Sequence, residues 1–269
     1  MQTKEELKNK ERYDFQDFVD IMATLRAPGG CPWDAEQTHE SIRDNFIEET
    51  YEVIEAIDNG DKKLLCEELG DVLMQVVFHA RMEEENGGFD INDVIDGVSK
   101  KLVHRHPHVF GDVFADTPEK VLENWDKIKS EEKSRETVTS KLRSVPKQLP
   151  ALMRAEKVGK KAKCFDFPDA EAVFSKLDEE RTELYEAFKS GDENSIFEET
   201  GDLLLTVTSL SRKLGVVSER ALNAATDKFI NRFETVENEV LEQKKNIADL
   251  DMTELDKIWD KNKQKAQKN

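Results

Sequence analysis

One acidic pattern constrains this chain more than any other feature, because it occurs twice. Glu48, Glu49, Glu52 and Glu55 are followed by Glu68 and Asp71, and 131 positions later Glu179, Glu180, Glu183, Glu186, Glu199 and Asp202 stand at the same spacing. Gly60-Asp61 between the two acidic groups returns as Gly191-Asp192. Such self-similarity marks a tandem repeat of one supersecondary unit. Between 48–73 and 179–204, twelve of twenty-six positions are identical and eight of those are acidic, whereas apolar positions drift, as in Val53 against Leu184 and Ile57 against Phe188. Cores tolerate such exchanges while ligands do not. The comparison establishes common origin and leans toward a shared chemical task.

Each copy reads as a helix pair. From Ser41 to about Asn59 a helix carries Ile47, Ile54 and Ile57 on one side, with Glu48, Glu49, Glu52 and Glu55 within an arc of about 120°. Taken once, that stripe is an ordinary solvated face. After the turn Asn59-Gly60-Asp61, residues Leu64 to Arg81 form a second helix whose middle, Val72 to Phe78, is apolar nearly all round and therefore internal. Glu68 and Asp71 point along the face that becomes buried, where unpaired charge costs several kcal/mol. A short turn makes the helices antiparallel neighbours, so Glu49 and Glu52 face Glu68 and Asp71. Facing carboxylates require cations. An all-oxygen set without His or Cys suits Mg²⁺ or Mn²⁺ rather than zinc or copper.

Other metal chemistry fits less well. A di-iron bundle would use Glu-x-x-His on its helices, and the one such spacing, Glu36 to His39, falls in an expected loop. His104-Arg105-His106-Pro107-His108 alternates histidines, but Pro107 makes it a turn or extended piece without further zinc ligands. Cys31, Cys66 and Cys164 are odd in number and lack CxxC spacing, which argues against a disulfide framework or zinc site and fits a reducing cytoplasm. No GxxxxGK[ST] occurs, so P-loop chemistry is not indicated.

Charged residues make up 36% of the chain against about 25% in average proteins, as expected of helices with solvated outer faces. A net charge of -18 opposes nucleic-acid backbones and anionic membranes, so neither partner is expected. The polar start, Met1 to Glu11, has no signal-peptide core, and no run approaches the ~18 apolar residues of a membrane span. The reading is a soluble protein of two domains, 1–140 and 141–269, with a Lys/Glu/Ser/Thr-rich linker over Ser130 to Leu149.

Around the helix pairs, Phe15, Phe18, Val19, Met22 and Leu25 follow helical spacing up to Pro28. Gly30-Cys31-Pro32-Trp33-Asp34 reads as a loop, either a structural lid or an aromatic surface. Helices are also predicted over Ile91–Val103, to Lys129, and over Leu152–Ala162, Asp169–Lys189 and Ser195–Leu214. Another, Ala221 to Lys244, has Phe229, Phe233, Val236 and Val240 inward. Lys228 and Arg232 echo Lys101 and Arg105, and Trp259 with Lys263 echoes Trp125 with Lys129. Two cations beside a carboxylate centre suit a polyphosphate, although an (i, i+4) surface pair explains them equally well. The tail, Lys261 to Asn269, is expected to fray.

Together the motifs Gly-Cys-Pro-Trp-Asp at 30–34, Glu-Glu-Thr-Tyr-Glu at 48–52, Glu-Leu-Gly-Asp at 68–71, His-Pro-His-Val-Phe-Gly-Asp at 106–112 and the second acidic set resemble the MazG nucleoside triphosphate pyrophosphohydrolases over almost the whole chain. The resemblance implies an all-α tandem of two four-helix modules, a homodimer, and Mg²⁺ held by Glu49, Glu52, Glu68 and Asp71 and again by Glu180, Glu183, Glu199 and Asp202. It implies that the second repeat does most of the catalysis, with nucleotide contacts from Lys176, Lys228, Arg232, Trp259 and Lys263. The expected reaction converts nucleoside triphosphate to monophosphate and pyrophosphate, with Glu179 placed to orient or deprotonate the attacking water. Alternatives are a narrower dUTP or dCTP pyrophosphatase and a non-catalytic helical dimeric regulator. The chain departs from the family at Cys164-Phe165-Asp166-Phe167, where Gly-Phe-Asp-Trp is usual.

Overall fold

The computed structural model describes residues 2–132 and 137–266. Among these there is no strand. The chain divides into two compact units, Met1–Lys133 and Ser134–Asn269.

The first unit contains α1 (Lys4–Lys8), α2 (Phe15–Arg26), α3 (Pro32–Glu36), α4 (Arg43–Asn59), α5 (Lys62–Glu85), α6 (Ile91–Arg105), α7 (Pro107–Phe110) and α8 (Pro118–Glu132). The second contains α9 (Val138–Arg143), α10 (Ala151–Lys161), α11 (Ala170–Ser190), α12 (Glu193–Lys213), α13 (Ser218–Glu242) and α14 (Met252–Ala266). A shift of 131 residues superimposes α4, α5, α6 and α8 in sequence on α11, α12, α13 and α14, so each repeat supplies a four-helix module.

The acidic helix pairs form as their sequences dictate. α4 ends on Gly60 at φ +68° and α11 on Gly191 at φ +71°, left-handed positions that a side chain would strain. The next residue starts the partner helix. Asp61 accepts from the backbone N–H groups of Lys63 and Leu64, and Asp192 from that of Asn194, filling the N-cap role that short acidic side chains serve best. A two-residue connection forces the helices antiparallel.

Burial concentrates away from the acidic ends. In the first unit Met22 of α2, Ile42, Val77, Phe78, Ala80 and Met82 of α5 and Ile91 of α6 form one cluster. It occupies the C-terminal half of α5, beyond Glu68 and Asp71. In the second unit Val173, Ala187, Val236 and Val240 are buried. α10 packs on α12 as α2 packs on α5.

Several expectations change. The Gly30–Asp34 stretch is not all loop: Pro32 sits in the first turn of α3, where its missing N–H costs nothing. The histidine segment is helical rather than extended, α6 running to Arg105 and α7 starting at Pro107. α9 lies inside the stretch read as linker, and residues 133–136 of that stretch are outside the described residues. α14 continues to Ala266, into the tail expected to fray, with 267–269 again outside the described residues. Phe229 and Phe233, expected inward, are 56% and 42% exposed, while Val236 and Val240 are buried. Ile47, Ile54 and Ile57 are also exposed. Helical periodicity identifies which residues share a face, and nothing in one unit obliges another element to cover it.

Candidate functional site

The two acidic sets converge as cross-helix clusters. In the first unit, ligand oxygens of Glu49 on α4 and Glu68 and Asp71 on α5 lie within 4.8 Å of one another. In the second, Glu180 on α11 and Glu199 and Asp202 on α12 do the same. Glu68 and Glu180 are the most enclosed members, 9% and 4% exposed. Glu52 and Glu183 fall outside these triads but sit close enough to act on them. Glu52 is among the groups that raise Glu49 and Glu68, and Glu183 among those that raise Glu199.

Like charges brought together out of water resist ionisation. Burial, followed by Asp71 and Glu52, pushes the Glu49 carboxyl above its ordinary range. Burial, followed by Glu52 and Asp71, does the same to Glu68. Burial, followed by Glu183, Asp202 and Glu180, raises Glu199. A divalent cation would reverse the electrostatic part of each shift, and the donors are all hard oxygens, so the residues present fit Mg²⁺ or Mn²⁺.

The second cluster opens onto a cavity of about 600 Å³. Glu180 and Asp202 line one part of it; Ala155, Val158, Phe167 and Leu205 are among its apolar lining. Lys176, one turn before Glu180 on α11, places its ammonium 2.6 Å from Glu179 and 2.9 Å from Glu180. These two carboxylates hold the Lys176 ammonium well above its usual range. The arrangement joins a carboxylate cluster, an ammonium paired to two carboxylates and an apolar chamber.

Of the residues expected to contact nucleotide, Lys176 lines the cavity. Lys228 and Arg232 lie on α13 and Trp259 and Lys263 on α14, and none belongs to that lining. Trp259 packs instead against Phe229, with ring centroids 5.3 Å apart. In the first unit Arg105 lies over the Trp125 ring. His39 joins no carboxylate triad: its Nδ1 is 2.7 Å from His79 Nδ1 and its Nε2 is 2.9 Å from Glu83. Sequence reasoning missed Thr206, Ser209 and Arg212, which line the cavity. Their signal was available, because positions three, four, seven and ten after a helical residue share its face, and Asp202 is that residue.

Fold and site define a class: an all-α tandem repeat in which each copy presents three carboxylates from an antiparallel helix pair to a common point. Comparison with known proteins supplies the family. The MazG nucleotide pyrophosphohydrolase domain matches residues 37–110 and again 169–237. The chain belongs to the MazG family. It is 43% identical over 251 residues to the nucleoside triphosphate pyrophosphohydrolase/pyrophosphatase MazG of Thermotoga maritima, covering 93% of this chain and 95% of that one. It is 42% identical over 247 residues to the nucleoside triphosphate pyrophosphohydrolase of Escherichia coli K12, covering 90% and 94%. Bacillus subtilis YabN, an uncharacterized protein, is 42% identical over 94% of this chain, which spans 52% of YabN.

Proposed function

We propose that this protein hydrolyses nucleoside triphosphates, ribo and deoxy, between the α and β phosphates, giving nucleoside monophosphate and pyrophosphate. The observation that carries the reading is the Glu180, Glu199 and Asp202 cluster opening onto a cavity with an apolar lining. The names of the relatives similar over most of the chain support it.

Glu180, Glu183, Glu199 and Asp202 would hold Mg²⁺, or Mn²⁺ in its place, and Glu49, Glu52, Glu68 and Asp71 form the equivalent set. Such an ion neutralises phosphate charge and lowers the pKa of bound water. Glu179, exposed and next to Glu180, accepts the proton of the attacking water. It accepts a hydrogen bond from Lys176, which itself lines the cavity. As phosphate arrives, the Lys176 ammonium moves from carboxylate to phosphate oxygens, freeing Glu179 for that proton. Lys228, Arg232 and Lys263 on α13 and α14, outside the cavity lining, would meet the phosphates, and Trp259 the base, where the substrate extends past that lining. The apolar chamber excludes water around the rest of the substrate.

A homodimer belongs to this reading. Ile54 and Ile57 on α4 and Tyr185 and Phe188 on α11 are large exposed apolar side chains, the kind of surface that a second copy covers. The partners in this reading are nucleoside triphosphates and that second copy, and the net charge of -18 is unfavourable to nucleic acid and anionic membranes. Three free cysteines accord with a cytoplasmic setting.

The test is turnover of ribo- and deoxynucleoside triphosphates of each base with Mg²⁺, resolving monophosphate plus pyrophosphate from diphosphate plus phosphate. Pyrophosphate across the panel is expected. Release of diphosphate contradicts the bond assignment, and turnover confined to dUTP or dCTP contradicts the broad range.

A further inference from the structure

The cavity beside Glu180 and Asp202 is closed on one side by the segment Lys163–Pro168, a single 3-10 turn followed by extended backbone. Short irregular segments have few contacts of their own and hold position only when tied down. Asp166 provides the tie. Arg212, near the end of α12, donates Nη1 to Asp166 Oδ2 at 2.9 Å and Nη2 to Oδ1, the two-pronged geometry in which guanidinium and carboxylate are most strongly fixed. Lys213 adds its ammonium to Asp166 Oδ2 at 2.9 Å and also donates to the Phe167 carbonyl. These contacts hold the Asp166 carboxyl far below its ordinary range and raise Arg212 above its own.

The neighbouring helix is cut to fit. A Cβ on Gly159 of α10 would stand 3.2 Å from Arg212 Nε, so the absence of a side chain there lets the guanidinium lie across α10. The first repeat solves the same problem differently. Arg81, 131 positions before Arg212, turns along its own helix to Glu84 and Glu85. There Arg26 of α2 ties the α3 segment through the carbonyls of Asp34 and Gln37.

We propose that Arg212 is a positioning residue for the second-repeat site. By clasping Asp166 it holds Phe167 and Pro168 as a wall of the cavity, and that wall receives the nucleoside part of the substrate. Arg212 stands two helical turns or more along α12 from Asp202, so the clasp governs substrate affinity rather than the chemical step. The inference rests on reading the cavity as the substrate site.

The test compares the full-length protein with Arg212→Gln, Arg212→Lys, Asp166→Asn and the double variant Arg212→Gln/Asp166→Asn. Hydrogen exchange of a peptide spanning 162–169 reads the clasp without substrate, and steady-state kinetics with ATP and Mg²⁺ reads the site. Arg212→Gln and Asp166→Asn are each expected to speed exchange and to raise KM about tenfold, with kcat within about twofold of wild type. The double variant should be no worse than either single one, and Arg212→Lys should recover only part, since an ammonium cannot make the two-pronged contact. Asp166→Asn changes the loop rather than a helix, so it keeps the test available if Arg212→Gln melts early. Faster exchange with unchanged KM, a fall in kcat at unchanged KM, or unchanged exchange would each overturn the inference while leaving the proposed reaction standing. A wild-type protein that turns over no nucleoside triphosphate overturns both.

Discussion

Replacing Asp202 by Asn should shift the stability of the second unit in opposite directions with and without a cation. Without one, Glu180, Glu199 and Asp202 crowd within 4.8 Å, and burial with the neighbouring carboxylates raises Glu199. A carboxyl whose folded pKa lies above its unfolded value binds more protons when folded. Stability therefore falls as pH climbs from the ordinary value of 4.5 through the raised one. Removing the Asp202 charge relieves part of that repulsion, so the metal-free variant should melt no lower than wild type at pH 7. With the ion the sign reverses. At a free concentration near 100 times Kd, binding adds about 2.7 kcal/mol. For a unit spanning Ser134–Asn269, an unfolding entropy of roughly 0.29 kcal/mol/K converts this to a rise in Tm of about 9 °C. Calorimetry in EDTA and in saturating Mg²⁺ measures both arms. Wild type should show the full rise, and Asp202→Asn should lose most of it in the second unit. An undiminished Mg²⁺ shift in the variant would refute the assignment of Asp202 as a ligand. A metal-free variant much less stable than wild type would refute the repulsion argument.

Other perturbations test the scaffold. Asp17, fully buried in the first unit, accepts from Lys10, Gln2 and the Asp14 N–H, and these contacts lower it from 3.8 to about 2. Its contribution is present above pH 3.8 and lost as pH falls toward 2, so thermal melts of Asp17→Asn should be lower than wild type at pH 6 and show a weaker dependence on acid. Gly191→Ala places a side chain at φ +71° and should cost about 1 kcal/mol, read as a lower denaturation midpoint. Gly97→Ala, within α6 with open space around its Cβ, should stabilise by up to about 1 kcal/mol in the same assay.

Much of the helix content and the pairing of carboxylates were legible because the information is local or repeated. Helical spacing placed Glu68 and Asp71 on one face, the turn at Gly60-Asp61 set the partner helix beside them, and recurrence at 131 residues singled these carboxylates out from the rest of the acidic surface. What was not legible depends on distant partners. Asp166 and Arg212 are 46 residues apart, and no periodicity links a loop carboxylate to the last turns of a helix. Phe229 and Phe233 share a helix with buried Val236 and Val240, yet the first two lack cover in their own unit. The resemblance supplied Lys228, Arg232, Trp259 and Lys263 as nucleotide contacts, and within the chain these lie on α13 and α14, away from the cavity lining. Pro32 and Pro107 read as loop signals because proline breaks helices in their interiors, but both occupy first turns, where it does not.

If the second carboxylate cluster carries the chemistry although the first offers an equivalent triad, the two repeats must respond differently to loss of one carboxylate. Single-turnover hydrolysis of ATP with Mg²⁺, measured for Asp71→Asn and Asp202→Asn under identical conditions, addresses it directly. Asp202→Asn should abolish most pyrophosphate release while Asp71→Asn retains most of it. Equal losses, or the larger loss from Asp71→Asn, would contradict it.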